Sequence, residues 1–286
     1  MASELRLALR LAALLACCVA TDARGQEKSG RPKTAPTPAP AALEVARVGF
    51  VEGGVEVLKP GAEWTKAIED QPLAIGDRVR TLRGGTARLE FPWTAVAVGD
   101  ASEVLIEKSR LLTLQLESGR IDVDPEQTLL RVVTAEAAIS GSGRTLVRRE
   151  GRATFVGSYN GGADVEAAGA IVRLGVNRGT LVNAGAAPSQ PALLGPAPRV
   201  VSPAADPRYV MPGSDVHLTW TGEQSAYHLE ILSIDSDVPV LSLDIESNQF
   251  DARITWLGTF RWRVAGRTGP VETQPSGEGL ICVVEK

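Results

Sequence analysis

The sequence predicts an all-β protein of two β modules, the first a meander or short β-helix-like stack and the second a small β-sandwich. Three observations carry the all-β part. Apolar residues recur at period two, no stretch has a convincing helical period, and glycine or aspartate turn signals interrupt the runs at strand-length intervals. Composition agrees: of 286 residues, 44% are hydrophobic, 29 are Gly and 18 are Pro. That much apolar content excludes a wholly disordered chain. A formal charge of -4 offers no electrostatic footing for nucleic acid. With 3 Cys and 2 His, a disulfide scaffold and most zinc sites are excluded as well.

Residues 1–25 read as a signal peptide, with Arg6 and Arg10 ahead of an apolar run at 11–20 and small or polar residues after it. The run is shorter than the ~20 residues a bilayer span requires. Two cleavage readings compete, an ordinary cut near residues 20–25 and a lipoprotein cut after Ala16. Leu14-Leu15-Ala16-Cys17 resembles a bacterial lipobox, which makes Cys17 the candidate lipidation residue. Leu15 matches that pattern poorly, and Cys18 follows directly. Ordinary cleavage leaves Cys282 alone in an oxidising compartment, expected as a small apolar filler of the last strand.

Proline placement divides the rest. Pro32, Pro36, Pro38 and Pro40 mark a Pro/Ala-rich tether at 26–42, and Pro188, Pro191, Pro196, Pro198, Pro203 and Pro207 mark a linker at 188–207. Between them lies a first domain at 43–187, and beyond them a second at 208–286. The second is strongly acidic, with 11 Asp and Glu against 5 Lys and Arg from residue 209 onward. Lys28, Arg31 and Lys33 give the tether a basic character that suits a solvated segment.

In the first domain Val45, Val48 and Phe50, then Val55 and Val57, then Ala87, Leu89 and Phe91, then Val96 and Val98, then Val104 and Ile106 mark successive strands. Gly53-Gly54, Gly84-Gly85, Gly99-Asp100, Ser118-Gly119 and Gly161-Gly162 are the turns between strands. Residues 152–183 repeat strand and glycine turn closely enough that both a meander and a coiled stack stay open.

An ordered series of short elements resembles a FecR-type domain over residues 45–185. It comprises Pro72-Leu73-Ala74-Ile75-Gly76-Asp77-Arg78-Val79-Arg80-Thr81, Gly85-Thr86-Ala87-Arg88-Leu89-Glu90-Phe91, and Val98-Gly99-Asp100-Ala101-Ser102-Glu103-Val104. The leucine strand at 111–116, Ser118-Gly119-Arg120, Val132-Val133-Thr134 and Gly141-Ser142-Gly143 continue it. The resemblance implies an exported bacterial envelope domain, best known from the periplasmic part of an iron-citrate signalling regulator and common in fusions without known enzyme activity. Two positions depart from the family pattern. Pro92-Trp93-Thr94 stands where an Asp-Gly-Thr turn is usual, and Gly143-Arg144-Thr145-Leu146 where Gly-Thr-x-Phe is usual. Because Pro92 cannot donate to a ladder, residues 91–93 belong at an edge or loop, and Trp93 becomes a candidate binding anchor. Only about ten residues precede the apolar run, so the sigma-factor-binding segment of the regulator is not implied.

The second domain alternates through Val216, Leu218 and Trp220, Tyr227, Leu229 and Ile231, Leu241, Leu243 and Ile245, and Phe260, Trp262 and Val264. With Gly258-Thr259-Phe260-Arg261-Trp262-Arg263-Val264 as a late strand, it resembles a fibronectin type III module. Alternation sets His217, His228 and Glu230 on the opposite side, expected as a solvent face. No metal is expected, since nothing sets the distances among these groups. Asp235, Asp237, Asp244, Glu246 and Asp251 read as a solvated acidic face, and Asp122, Asp124 and Glu126 as turn residues.

Catalytic signatures are missing. Gly141-Ser142-Gly143 lacks the leading glycine of a nucleophile elbow and has arginines but no His nearby. The expected function is therefore that of an exported, noncatalytic, cofactor-free protein of the periplasm or cell envelope, binding an envelope protein or a polysaccharide such as peptidoglycan. Nucleic acid is not an expected partner, and the membrane enters only through a lipid on Cys17 or an uncleaved signal segment. Arg144, Arg148, Arg149 and Arg152, close together near one hairpin, are with Trp93 the candidate partner-binding residues, because guanidinium forks suit carboxylates and phosphates. A signalling regulator of the FecR kind, and then a glycan-acting enzyme, are the alternatives.

Overall fold

A computed structural model describes residues 44–108, 112–123, 130–235 and 239–285. The signal segment, Cys17, the tether, Asp124, Glu126 and Asp237 lie outside the described residues. Everything described is strand, turn or irregular, so the chain is all-β as its alternation predicts.

The first module folds around one long strand, Leu112–Val123. Its first half pairs antiparallel with Glu103–Lys108 and parallel with Leu130–Val133, and its second half pairs with Thr94–Val98 and Thr145–Glu150. The strand thus belongs to two sheets that close face to face over Val48, Leu89, Val98 and Ile121 on one side and Val79, Val104, Leu114 and Leu116 on the other, all fully buried. Each such side chain contributes about 1.5–3 kcal/mol by leaving water. Gly119 sits where the strand passes between sheets, at φ 86°, and an added Cβ there would lie 2.2 Å from Ser102 Oγ. Only glycine meets both demands, which is the physical content of Ser118-Gly119-Arg120.

Between residues 145 and 183 the neighbours are antiparallel hairpins and their crossovers, so the meander describes this region and the β-helix-like stack does not. Phe91 pairs directly with Thr94, leaving Pro92-Trp93 as a two-residue hairpin turn. The tight turn thus persists without Asp-Gly.

The second module packs the strands Arg199–Ser202, Asp215–Thr221 and Gln249–Arg253 against a sheet containing Ala226–Ser233, Pro239–Ile245, Gly258–Thr268 and Gly279–Val283. Its core holds the predicted apolar set except Leu243, which lines a cleft instead, with Trp220 at 5.5 Å from Tyr227 and 6.1 Å from Trp262 between ring centroids.

The linker reading needs correction. Ala192–Leu193 pairs with Arg178–Asn183, Leu194 packs on Leu146 and Phe155, and Arg199–Ser202 pairs with Asp215–Thr221. The apolar residues between the prolines bind residues 188–207 to the module on either side, so the segment is no free polyproline spacer. The described residues form a single compact unit.

Candidate inter-module site

Along Ala226–Ser233 the odd-numbered side chains enter the sandwich core, while His228 and Glu230 point the other way. That second face does not meet solvent. It lies against the first module, with His228 at 1% and Glu230 at 3% exposure. The correction has a simple cause: alternation separates the two faces, and a complementary polar surface covers the polar one.

Arg120, Asp122, Arg144 and Arg148 form the covering surface. Arg120 and Arg148 sit directly opposite each other on paired strands, an unfavourable like-charge arrangement on its own. Glu272 of the second module relieves it, its Oε1 accepting from Arg148 Nε at 2.7 Å and Arg120 Nε at 3.2 Å. Glu230 takes Arg263 Nε at 2.6 Å and Arg120 and Arg144 Nη2 at 3.0 Å each. Asp244 accepts a bidentate pair from Arg148, at 2.7 and 2.9 Å, and a further bond from Arg267. Arg120 also pairs with Asp122. His228 Nδ1 lies 2.7 Å from Asp244 Oδ1 and 3.3 Å from Arg148 Nη2. Its Nε2 meets Ser242 Oγ at 2.9 Å.

Burial opposes the charge on Arg120, Arg144, Arg148, Glu230, Asp244 and Glu272, and their partners reverse that effect. Arg263, Arg144 and Arg120 hold the Glu230 carboxyl well below the usual range despite its desolvation. Asp244 is desolvated too, yet His228 and Arg148 keep it ionised far below its ordinary value. Glu272 is lowered by Arg120 and Arg148 against the same penalty. Arg144 and Arg148, though desolvated, are raised by these carboxylates.

Arg144 and Arg148 are therefore not a partner surface, because their donors are buried and engaged within the chain. Arg149 pairs with Glu136 at 2.8 Å, a carboxylate that Thr154 also holds. Arg152 is exposed at the turn beyond Glu150, and Trp93 is half-buried at its hairpin turn. The predicted group thus splits, and Trp93 is not brought to it. Asp122 is a buried strand residue, not a turn residue, and Asp244 belongs to the network, not to a solvated acidic face. His217 sits on the other sheet, exposed, with Nδ1 2.7 Å from Asp251, so the two histidines share no face. Arg120, Ser242 and Glu272 were missed. Their trace in the sequence is charge or hydroxyl beside apolar strand residues such as Ile121 and Leu241.

Beside the network a cleft of about 430 Å³ opens between the modules, lined by Arg83, Gly84 and Asp100 on one side and residues 243–246, Phe250 and Arg267 on the other. Burial pushes the Asp100 carboxyl up, partly offset by the Gly84 N–H that it accepts at 2.6 Å.

No family model matches the sequence, and no curated protein matches it. Among solved structures, a candidate anti-sigma factor from Parabacteroides distasonis is 17% identical over 41% of this chain, with a TM-score of 0.36. The match spans 59% of that protein's length. The FN1–FN3 domains of chicken CNTN1 are 9% identical, covering 85% of this chain and 96% of that one at TM-score 0.25. SGBP-B of a Bacteroides ovatus mixed-linkage glucan utilization locus, solved with a heptasaccharide, is 10% identical over 84% of this chain and 63% of that one at TM-score 0.21.

Proposed function

We propose that the chain is an exported, noncatalytic cell-envelope protein, a rigid two-module body that binds an envelope protein or polysaccharide. The supporting observation is the buried network between Arg120, Arg144 and Arg148 of one module and Glu230, Asp244 and Glu272 of the other. General acid–base or nucleophilic chemistry needs a carboxylate or imidazole free to exchange a proton with substrate. Here both oxygens of Glu230 and of Asp244 accept from guanidiniums, and His228 is held between Asp244 and Ser242. Such an assembly fixes orientation between modules, which suits display of a composite surface.

Two measurements test this reading. Mass spectrometry of protein recovered from the envelope should find a new amino terminus between residues 17 and 26, and lipid on Cys17 if the cut follows Ala16. Purified mature protein should co-sediment with peptidoglycan sacculi or with an envelope protein fraction and release no soluble fragments. Recovery of an intact amino terminus in the cytosol, or steady release of sugars, would reject it.

A further inference from the structure

The strand Pro239–Ile245 ends its sheet, pairing on one side with Ala226–Ser233 and lying on the other beside the first module. At Ser242 that outer side is capped. The Ser242 N–H donates to Thr86 Oγ1 at 3.0 Å, and its C=O accepts from the Asp100 N–H at 3.2 Å and the Thr86 hydroxyl at 3.3 Å. Main-chain groups of an antiparallel strand face alternate sides, so those of Asp244, in unbroken register two residues on, face the same outer side. There the first module recedes and the cleft begins.

We propose that an extended, basic peptide segment of a protein partner adds as a strand to this edge, hydrogen-bonding the main chain of Asp244 within the inter-module cleft. An edge strand with outward N–H and C=O groups is a template for strand addition, and Thr86 and Asp100 already imitate a pairing strand at the preceding outward position. Leu243, Ile245 and Phe250 supply an apolar wall. The basic character of the peptide follows from the charges left over. Arg267 and Asp244 engage each other, whereas Asp100 accepts from the Gly84 N–H and Glu246 is exposed at the rim. Against these two carboxylates stands Arg83, so the cleft is net acidic within a second module that carries 11 acidic and 5 basic residues from 209 onward. Alternate lysines of an added strand would meet Asp100 and Glu246, and an intervening apolar residue would meet Phe250.

The assignment rests on the binding reading above and narrows it to a protein partner. Titration calorimetry with the mature chain tests it, using acetyl-Thr-Lys-Val-Lys-Thr-amide, the same peptide N-methylated at Val and at the second Lys, its Glu-for-Lys counterpart, and cellobiose. The lysine peptide should bind, with amide shifts at Asp244 and Glu246. N-methylation should weaken it about tenfold, the fold-change for roughly one hydrogen bond. The Glu counterpart should bind at least tenfold more weakly, and D100N with E246Q should remove most of that preference without changing the melting temperature. Equal binding of the lysine and glutamate peptides, indifference to N-methylation, or the same shifts from cellobiose would overturn strand addition. If no peptide binds while the chain still sediments with sacculi, this assignment fails and the proposed function stands. If neither is seen, both fail.

Discussion

The sheet formed by Ala226–Ser233, Pro239–Ile245 and Gly258–Thr268 has two faces that are equally dry and chemically opposite. One carries Leu229, Ile231, Trp262 and Val264 and is closed by the partner sheet of its own sandwich. The other carries His228, Glu230, Ser242 and Arg263 and is closed by the first module. Apolar burial is favourable at roughly 25 cal/mol per Å² whatever the angular detail. Buried ion pairs instead nearly cancel their own desolvation and return a net benefit only when every partner is in place. The apolar face therefore supplies stability, and the polar face determines how the modules meet.

That contrast breaks most sharply at Glu230. Glu230→Ala leaves Arg263, Arg144 and Arg120 without their shared carboxylate and should cost about 3–5 kcal/mol in urea unfolding. It should also expose inter-module amides to hydrogen exchange. A loss under 1 kcal/mol would mean the polar face is not closed in solution. On the apolar face, fully buried Leu229→Ala should cost about 2–5 kcal/mol through cavity formation, with inter-module exchange unchanged. If both variants loosen the interface alike, the faces are not independent.

Acid separates the faces without mutation. Glu230, Asp244 and Glu272 titrate lower in the folded chain than in the unfolded one, where carboxyls titrate at about pH 4. Their contribution is complete above that value and is lost as pH falls below it toward the depressed folded values. The melting temperature should therefore hold near neutrality and drop steadily below about pH 4. A melting temperature that rises on acidification would contradict the ionised network. The smallest effect belongs to the surface: removing the exposed Arg173–Asp164 pair with Asp164→Asn should leave the melting temperature unchanged within error, since solvent screens it.

Much of this fold was legible because strand periodicity is local. Val216, Leu218 and Trp220, or Val96 and Val98, identify their strands and inward faces from spacing alone. Gly119 was legible as a turn signal, although its tight approach to Ser102 was not. The candidate site was legible only in fragments. Arg144 and Arg148 stood out as a cluster, but a cluster of guanidiniums looks the same in sequence whether its carboxylates belong to a partner or to residues 86 to 124 positions further along. The linker failed for a related reason: proline density marks a break in regular structure, and the contacts of Leu194 with Leu146 and Phe155 are nonlocal.

By itself, then, the sequence determined the all-β class, the strands, the turns and the division of each strand into an apolar and a polar side, since these follow from alternation and backbone preference within a few residues. Tertiary structure alone decided that the polar side of Ala226–Ser233 is buried, that the arginines meet Glu230, Asp244 and Glu272, and that a cleft opens beside Asp244. The physical reason is that burial and ion pairing depend on which surface closes over a residue, and that surface comes from far along the chain.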